Sequence, residues 1–503
     1  MIEKIKENKD KIFVFVMFLL VFLHLLSTIL VKEINNLDEL WNYNIARNIT
    51  KGLVPYKDIS MITTPLVYMI EAIVLKIFSN ELIVFRLMNV VLLTSILYMT
   101  YKVINSLVKS KINSLIITLP LLAILKNDLF LDYNFFTVFL SLLIIYLELQ
   151  KIDKKNLKND SIIGLLGGLA FCTKQTIGII ICVGVILPTL ICSIRDKSFK
   201  AFWARIVGIL IPIIILLVYL LITQSFNSFI SYVFLSINTF ENNISYTNLI
   251  KHNDLLIRIL AVLLPVCTIA NIVFITMYKN KENLKYIKIK SLFLYSLTLV
   301  LIEYPIADRI HFILANWVMI ILLLIEGYYS IQKLYRKFDN RIKRLGVVTI
   351  KAFIILYFIT ITTTVIINKT KEYAIGNKNS ELKYYKNLIL SDYIVKLYND
   401  TIIVEENYEN QGKEVIILDS NAALVHIPMD KYRKNYDMFN KGNFGKDGEE
   451  GLINQIENEK SNNVYLIRND KYPKNWQHPS KVTDFVKSNF AKSGEVGIYD
   501  IYE

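Results

Sequence analysis

The stretch Ile12–Val31, with the sequence IFVFVMFLLVFLHLLSTILV, decides the fold class of this chain. A helix of this length and composition can cross the hydrocarbon core of a bilayer. Four lysines come before it, and their positive charge predicts that the N-terminus stays in the cytoplasm. These are Lys4, Lys6, Lys9 and Lys11. No small-residue cleavage site follows, so we interpret the stretch as a retained helix and not as a signal peptide.

Similar apolar runs recur along the first three quarters of the 503 residues, and 54% of the chain is hydrophobic. This pattern is typical of a polytopic α-helical membrane protein. The net charge of +14 lies mainly in short loops between the runs, as expected of cytoplasmic loops, so we predict no nucleic-acid partner. The eleven predicted spans are Ile12–Val31, Leu82–Tyr101, Ile112–Leu125, Tyr133–Leu149, Ser161–Thr173, Ile177–Ile194, Ile206–Ile222, Leu255–Tyr278, Ser291–Ile306, His311–Tyr329 and Gly346–Ile367.

A further apolar run, Pro65–Phe78, determines on which side of the membrane every later loop lies. If it crossed, the basic clusters Lys151–Lys158 and Lys333–Arg344 would face outward, against the positive-inside rule. Its Glu71 and Lys76 also suit a lipid-exposed span poorly. We therefore interpret it as a re-entrant or interfacial helix on the outer face. This predicts a multi-pass plasma-membrane protein with eleven crossings, a cytoplasmic N-terminus and an extracytoplasmic C-terminus.

Asp38 and Glu39 follow the first span and are predicted to lie at the outer lipid–water boundary. A carboxylate there can meet a substrate whose tail lies in the membrane and whose head group lies in water. The alternative is a helix N-cap beside a solvated acid. Trp41, Ile45 and Ile49 recur at four-residue spacing, which predicts an amphipathic helix in the interface plane, with Trp at head-group level.

Two other outer segments carry polar residues next to spans. Asp132 comes just before a span, where it is either a helix cap or a site residue that holds the site together or helps bind a metal. Asp128 is the other candidate for this second acid. Lys174 and Gln175 stand in a tight turn between two spans. A snorkelling lysine is the alternative to a functional one there.

The last outer turn contains Asp308, Arg309 and His311 between two hydrophobic spans. Ionisable residues at membrane depth are costly, so a functional role is favoured, with an interfacial Asp308–Arg309 pair as the alternative. Lys174, Arg309 and His311 could together neutralise a phosphate. Asp38 could take a proton from an incoming hydroxyl.

These segments resemble the GT-C membrane glycosyltransferases that use polyprenyl-phosphate sugars. That group includes the protein O-mannosyltransferases (glycosyltransferase family 39) and the aminoarabinose transferases. The resemblance covers residues 35–330. It rests on the Asp-Glu pair, on ARNITKGLVPYKD leading into TTPLVYMI, on Arg86 and Asp132 at the starts of spans, and on the segments GGLAFCTKQ and YPIADRIHF. Thr64-Pro65 stands where the family often has two prolines.

The resemblance implies a GT-C-like bundle and an inverting transfer of a sugar from a polyprenyl phosphate to an acceptor hydroxyl. It implies that Asp38 is the catalytic base and Asp132 the second acid of the site, and we group Glu39 with them. Whether the acceptor is a glycan, a lipid or a protein stays open, as does the need for a divalent cation such as Mg²⁺ or Mn²⁺. Further candidate residues are Asp128, Arg86, Tyr56, Gln175 and Asp308.

The composition becomes polar from about Asn368. We predict that residues 1–367 form the transmembrane catalytic domain. Residues 368–503 would form a small extracytoplasmic α/β domain, either a structural cap or a part that helps recognise the acceptor. The segment Met429–Gly448 is typical of a surface loop. The predicted elements are strands at Glu414–Leu418, Val464–Ile467 and Gly497–Tyr502 and a helix at Lys481–Phe490.

A transporter or flippase of lipid-linked saccharides is the alternative function. Such a protein is expected to carry polar or charged residues deep within its spans, often with related halves. Here the apolar segments are nearly free of charge, and the ionisable residues gather at one predicted surface. This distribution favours an enzyme that works at the outer face.

Overall fold

The computed structural model describes residues 2–34, 37–125, 132–153, 156–239, 243–277, 283–336, 341–459, 462–470, 472 and 474–503. Up to Ile375 the described elements are helical. They are α1 (Ile2–Leu30), α2 (Leu37–Thr50), α3 (Leu66–Ile77), α4 (Leu82–Val108), α5 (Lys111–Thr118), α6 (Leu121–Leu125), α7 (Tyr133–Asp153), α8 (Leu157–Thr173), α9 (Gln175–Arg195), α10 (Lys200–Ile222), α11 (Phe226–Val233), α12 (Thr247–Ile250), α13 (Leu255–Met277), α14 (Leu284–Thr298), α15 (Arg309–Ala315), α16 (Trp317–Arg336) and α17 (Arg341–Ile375), with short 3₁₀ helices at Leu235–Thr239 and Val300–Glu303.

Seven of these helices are long and apolar enough to cross a membrane within the described part of the chain. They are α1, α4, α7, α9, α10, α13 and α17. The pair α15 and α16, bent by 60°, makes an eighth if it is one broken span. The prediction of a polytopic helical membrane protein is confirmed.

The other three predicted spans form shorter helices. Pro120 separates α5 from α6, because proline cannot donate the backbone hydrogen bond that would continue the helix. Helix α14 has 15 residues and α8 has 17, which gives roughly 22–26 Å of helix against about 30 Å of hydrocarbon. Helix α3, at the predicted re-entrant run, has 12 residues and is roughly 18 Å long.

Helices α8 and α10 approach each other closely because glycines line their contact. A Cβ atom on Gly164 would lie 2.2 Å from the carbonyl oxygen of Arg205, and one on Gly208 would lie 2.4 Å from that of Ser161. Small residues allow such backbone contact between membrane helices. This contact fixes the position of α8, and the C-terminal end of α8 leads into the turn that carries Lys174.

The C-terminal part contains a four-stranded sheet in the order β1-β2-β4-β3. Strands β1 and β2 are parallel, and β4 pairs antiparallel with both β2 and β3. The prediction of a small C-terminal domain with strands is confirmed, and β3 is an element that the sequence pattern did not predict. The elements are α18 (Asp392–Glu409), β1 (Glu414–Leu418), α19 (Ala422–His426), α20 (Gly448–Asn458), β2 (Asn463–Arg468), α21 (Ser480–Asn489), β3 (Lys492–Val496) and β4 (Tyr499–Tyr502), with a 3₁₀ helix at Asn475–Gln477.

The segment Met429–Gly448 corrects one prediction. Up to Asp447 it lacks helix and strand, as a loop does, but Tyr436, Phe439 and Phe444 are buried in it and pack against the sheet. Aromatic side chains bury large apolar areas, so this segment forms part of the domain's core instead of its surface.

Helix α2 lies between the bundle and the C-terminal domain. The Trp41 indole donates to the carbonyl of Ser420 at 3.2 Å, and the Asn44 amide donates to Asp437 at 2.7 Å. The prediction that Trp41 lies at head-group level is wrong, because its side chain is buried under the C-terminal domain. The polar face of α2 therefore meets protein.

Arg47, one turn further along α2, completes this contact. It is fully buried and donates to the carboxylate of Asp430 at 2.9 Å and to the carbonyls of Ile427 and Lys431. A buried guanidinium must be paired and hydrogen-bonded to be tolerated, so these contacts join the two parts of the chain firmly.

Candidate active site

The position of α2 depends on a buried ion pair. Arg86 of α4 donates through Nε and Nη2 to the two carboxylate oxygens of Glu39, each at 3.0 Å. The same guanidinium donates to the carbonyls of Lys32 and Glu33, after the end of α1. Both side chains are fully buried. The pair therefore joins α1, α2 and α4, and it holds the neighbouring Asp38 in place.

Asp38 occupies a recess at this end of the bundle. Solvent reaches its side chain, which is exposed, although protein surrounds it on several sides. The pKa of its carboxyl is raised to about 6, first by desolvation and then by the negative charges of Asp132 and Asp308. The charges of His311 and Lys474 oppose this rise. An acid with this pKa is largely ionised at neutral pH yet basic enough to accept a proton.

Asp132 and Lys174 form a second part of the site, linked by one amide. Asp132 accepts from the backbone N–H and the side-chain amide of Asn134, at 3.1 and 2.9 Å. Lys174 donates to Asn134 Oδ1 at 2.9 Å and lies 5.0 Å from the ring centroid of Tyr133. Burial lowers the pKa of Lys174 to about 8, against the opposing charge of Asp132.

The third part is the start of α15. Asp308 caps this helix by accepting the backbone N–H of His311 at 2.9 Å, and the same oxygen lies 2.9 Å from His311 Nδ1. Burial alone would raise the pKa of Asp308, but these contacts hold it below its usual value. Arg309 donates to the carbonyl of Ile124 at 2.8 Å.

A cavity of about 480 Å³ opens beside this helix start and is lined by Asn248, His252, Asp308 and Arg309 together with apolar side chains. A groove of about 590 Å³ between α8 and α10 is lined mainly by apolar side chains and lies at the far end of those helices. The cavity beside α15 adjoins the site, and the groove between α8 and α10 does not.

Three residues near the acids were not among the predicted site residues. The Tyr68 hydroxyl lies 3.2 Å from Asn42 Oδ1, and its charge state couples to Asp38 and Asp132. Glu71 is 1% exposed, and neither of its oxygens has a hydrogen-bond partner among the described residues. Burial, followed by the charge of Asp132, raises its pKa well above the usual value. Tyr68 and Glu71 lie three residues apart on α3, a spacing that places both on one helix face.

Lys474 is the remaining residue, and it comes from the C-terminal domain. Its charge acts on Asp38, as described above. No sequence pattern connects these two positions, which only the packing of the C-terminal domain on α2 brings together.

Several predicted site residues are engaged in contacts that support the fold. Glu39 and Arg86 engage each other, so we assign them a positioning role. The Tyr56 side chain is fully buried, and its hydroxyl donates to the Thr63 carbonyl at 2.6 Å. Gln175 donates to the carbonyls of Ile62 and Val233, at 3.0 and 3.1 Å. Asp128 lies outside the described residues.

A metal site is not formed by the side chains described. Among them, no group of three or more His, Cys, Asp or Glu residues could hold a metal ion. The charge of Asp132 acts on Asp38, and Lys174 supplies the largest compensating charge to Asp132.

Comparison with known proteins identifies the fold. Over 99% of this chain and 98% of the other, the structure is similar to that of apo ArnT from Cupriavidus metallidurans, with a TM-score of 0.54 at 8% identity. The chain has the GT-C fold. The sequence profile of dolichyl-phosphate-mannose-protein mannosyltransferases matches residues 63–222, less than half of the chain. No curated protein matches the sequence.

Two other structures are similar at a TM-score of 0.49. One is ArnT from the same organism bound to undecaprenyl phosphate, at 10% identity over 98% of this chain and 97% of that one. The other is the oligosaccharyltransferase of Archaeoglobus fulgidus in complex with Zn and sulfate, at 13% identity over 89% of this chain and 67% of that one.

Proposed function

We propose that this GT-C protein is a glycosyltransferase that moves a sugar from a polyprenyl-phosphate donor to an acceptor hydroxyl at the outer face of the membrane, with Asp38 as general base. The family profile over residues 63–222 supports the donor class. The acceptor is a glycan, a lipid or a protein.

The observation that carries this proposal is the environment of Asp38. Its carboxylate is exposed in a recess, has a pKa raised to about 6, and lies within the influence of His311, Lys474 and two further acids. A purely structural acid would be closed off from solvent, as the fully buried Glu39 is. An accessible carboxylate with a pKa just below neutrality is what a general base requires.

The proposed reaction needs one proton acceptor and one site for the departing phosphate. Asp38 takes the proton of the acceptor hydroxyl while that oxygen bonds to the anomeric carbon of the sugar. The bond from this carbon to the phosphate oxygen breaks, and polyprenyl phosphate leaves with the electron pair. Lys174, Arg309 and His311 stabilise its developing charge. Attack from the face opposite the phosphate inverts the anomeric configuration.

Asp132 has a supporting role in this scheme. Its carboxylate is held by two hydrogen bonds from Asn134, so it is fixed in place. Its negative charge raises the pKa of Asp38 and balances the charge of Lys174. Asp132 therefore raises the pKa of both the base, Asp38, and the phosphate-binding cation, Lys174.

The transporter alternative predicts ionisable groups exposed along a path through the bundle. The structure has a buried charged cluster, in which Arg205 contacts both Glu148 and Asp160. Glu148 lies at the far end of α7 from Asp132, roughly 24 Å away along the helix. The charged residues of this cluster are paired with one another and lie near helix ends. We therefore interpret the cluster as structural.

The test is the variant Asp38→Asn in purified, reconstituted protein with a radiolabelled polyprenyl-phosphate sugar. We expect transfer to fall by roughly a hundredfold or more, with unchanged thermal stability. The matched control is Glu33→Gln, because Glu33 is an exposed acid in the segment between α1 and α2, a few residues before Asp38. Full transfer by Asp38→Asn would reject the proposed base.

A further inference from the structure

The C-terminal domain places a short segment next to the start of α2. The ring of Trp476 lies 6.2 Å from that of Trp41, in an edge-to-face arrangement. The carbonyl of Trp476 accepts the backbone N–H of Lys441 at 3.0 Å, which fixes this segment to the rest of the domain. Trp41 is three residues from Asp38, so it lies on the adjoining turn of the same helix face. The segment therefore covers the rim of the Asp38 recess.

Lys474 is the cation on this segment. Its side chain is exposed, and its ammonium lies 5.8 Å from the ring centroid of Trp476. The other cations of the site, Lys174, Arg309 and His311, come from the helical bundle. Asp38 consequently has positive charge on two sides, one supplied by each part of the chain.

Among the residues that the structure describes, the charge of Lys474 is not used in a short-range ion pair. Other lysines of the domain are paired: Lys413 contacts Glu503 at 2.6 Å and Lys481 contacts Glu450 at 2.8 Å. Within the described residues, no carboxylate lies within 4.0 Å of the Lys474 ammonium. An exposed ammonium at the rim of a recess, held next to an aromatic ring, is free to bind an incoming anion.

We propose that Lys474 is an anion-binding residue of the active site, supplied by the C-terminal domain, which binds a phosphate or carboxylate oxygen of a substrate beside Asp38. This inference rests on the proposed function. Two sources present such an oxygen: the phosphate of the donor, and an anionic group on the acceptor. The domain is thereby part of the site as well as a cap over the bundle.

The experiment measures binding, which does not require transfer. The full-length protein is reconstituted in nanodiscs, and two probes are titrated: polyprenyl phosphate in the lipid and a soluble glycerol-phosphate oligomer. Intrinsic tryptophan fluorescence reports binding, because Trp41 and Trp476 lie beside the site. The variants are Lys474→Gln, which removes the charge, and Lys474→Arg, which keeps it. The control is Lys396→Gln, which changes an exposed lysine on α18.

We expect Lys474→Gln to weaken the binding of one probe by roughly tenfold, and Lys474→Arg and Lys396→Gln to bind as the unchanged protein does. A loss confined to polyprenyl phosphate identifies the donor as the source of the anion. A loss confined to the glycerol-phosphate oligomer identifies the acceptor. Unchanged binding of both probes by Lys474→Gln overturns the inference. Because no transfer is measured, a failure of Asp38 as base leaves this result unaffected.

Discussion

Both carboxylate oxygens of Glu39 accept hydrogen bonds from Arg86, while the carboxylate of the preceding residue, Asp38, remains exposed. Successive residues on a helix point about 100° apart, so one of the pair faces the bundle and the other faces the recess. The two acids that follow the first span have therefore separate roles. Glu39 holds the helix, and the Asp38 side chain faces the recess, where we propose that it acts as the base.

The Glu39–Arg86 pair predicts a large loss of stability when it is broken. Glu39→Ala leaves the Arg86 guanidinium buried without its partner, and we expect about 3–5 kcal/mol lower stability. Thermal unfolding of the purified protein in detergent measures this. The double variant Glu39→Met/Arg86→Met should lose less than either single variant, because no charge then stays buried. If Glu39→Gln kept its unfolding temperature and lost only transfer, Glu39 would have a chemical role.

The pKa of Asp38 predicts the acidic limb of the pH profile. The base must be ionised, so kcat/KM should rise with pH up to about 6 and level off above it. Asp132→Asn removes a negative charge that raises this pKa, so the limb should move to lower pH. A His311→Gln variant should move it in the opposite direction, because His311 lowers the pKa. A limb that stays in place in both variants would show that another group titrates.

Lys174 predicts a second limb in the pH profile of kcat/KM, on the alkaline side. Its pKa is lowered to about 8 by burial, and the phosphate-binding form is the protonated one. The value of kcat/KM should therefore fall as the pH rises through about 8, which makes the complete profile bell-shaped. Lys174→Arg should abolish this falling limb, because arginine stays charged throughout this range. An unchanged limb in that variant would exclude Lys174 as its cause.

The buried carboxyl of Glu71 predicts a gain in stability when an apolar side chain replaces it. Its buried oxygens have no hydrogen-bond partner among the described residues, and an unsatisfied buried polar group costs about 1–3 kcal/mol. Glu71→Leu should raise the unfolding temperature, whereas Glu71→Gln should not, because it keeps a buried polar group. Transfer assays on both variants show whether the acid contributes to function. A less stable Glu71→Leu protein would mean that Glu71 has a stabilising partner.

The sequence allowed much of the fold to be predicted, because apolar length and charged loops follow directly from the bilayer. The helix at residues 66–77, the strand at residues 414–418 and the helix at residues 480–489 all fall where patterns indicated them. The positions of Trp41 and of the segment Met429–Gly448 were predicted incorrectly. In both cases the covering partner lies far away along the chain, and composition does not show which surface meets another.

For the candidate site, too, the sequence determined one part and the tertiary structure another. Sequence alone determined that this is a polytopic helical membrane protein, because the hydrocarbon thickness sets the length of an apolar helix. It also singled out Asp38, Asp132, Lys174 and His311, since ionisable residues next to spans are costly and therefore noticeable. Tertiary structure alone decided that Arg86 engages Glu39 and that Lys474 reaches the Asp38 recess. Both depend on contacts between distant segments, and burial and pairing, which set the charge and the pKa of each acid, exist only once those segments pack together.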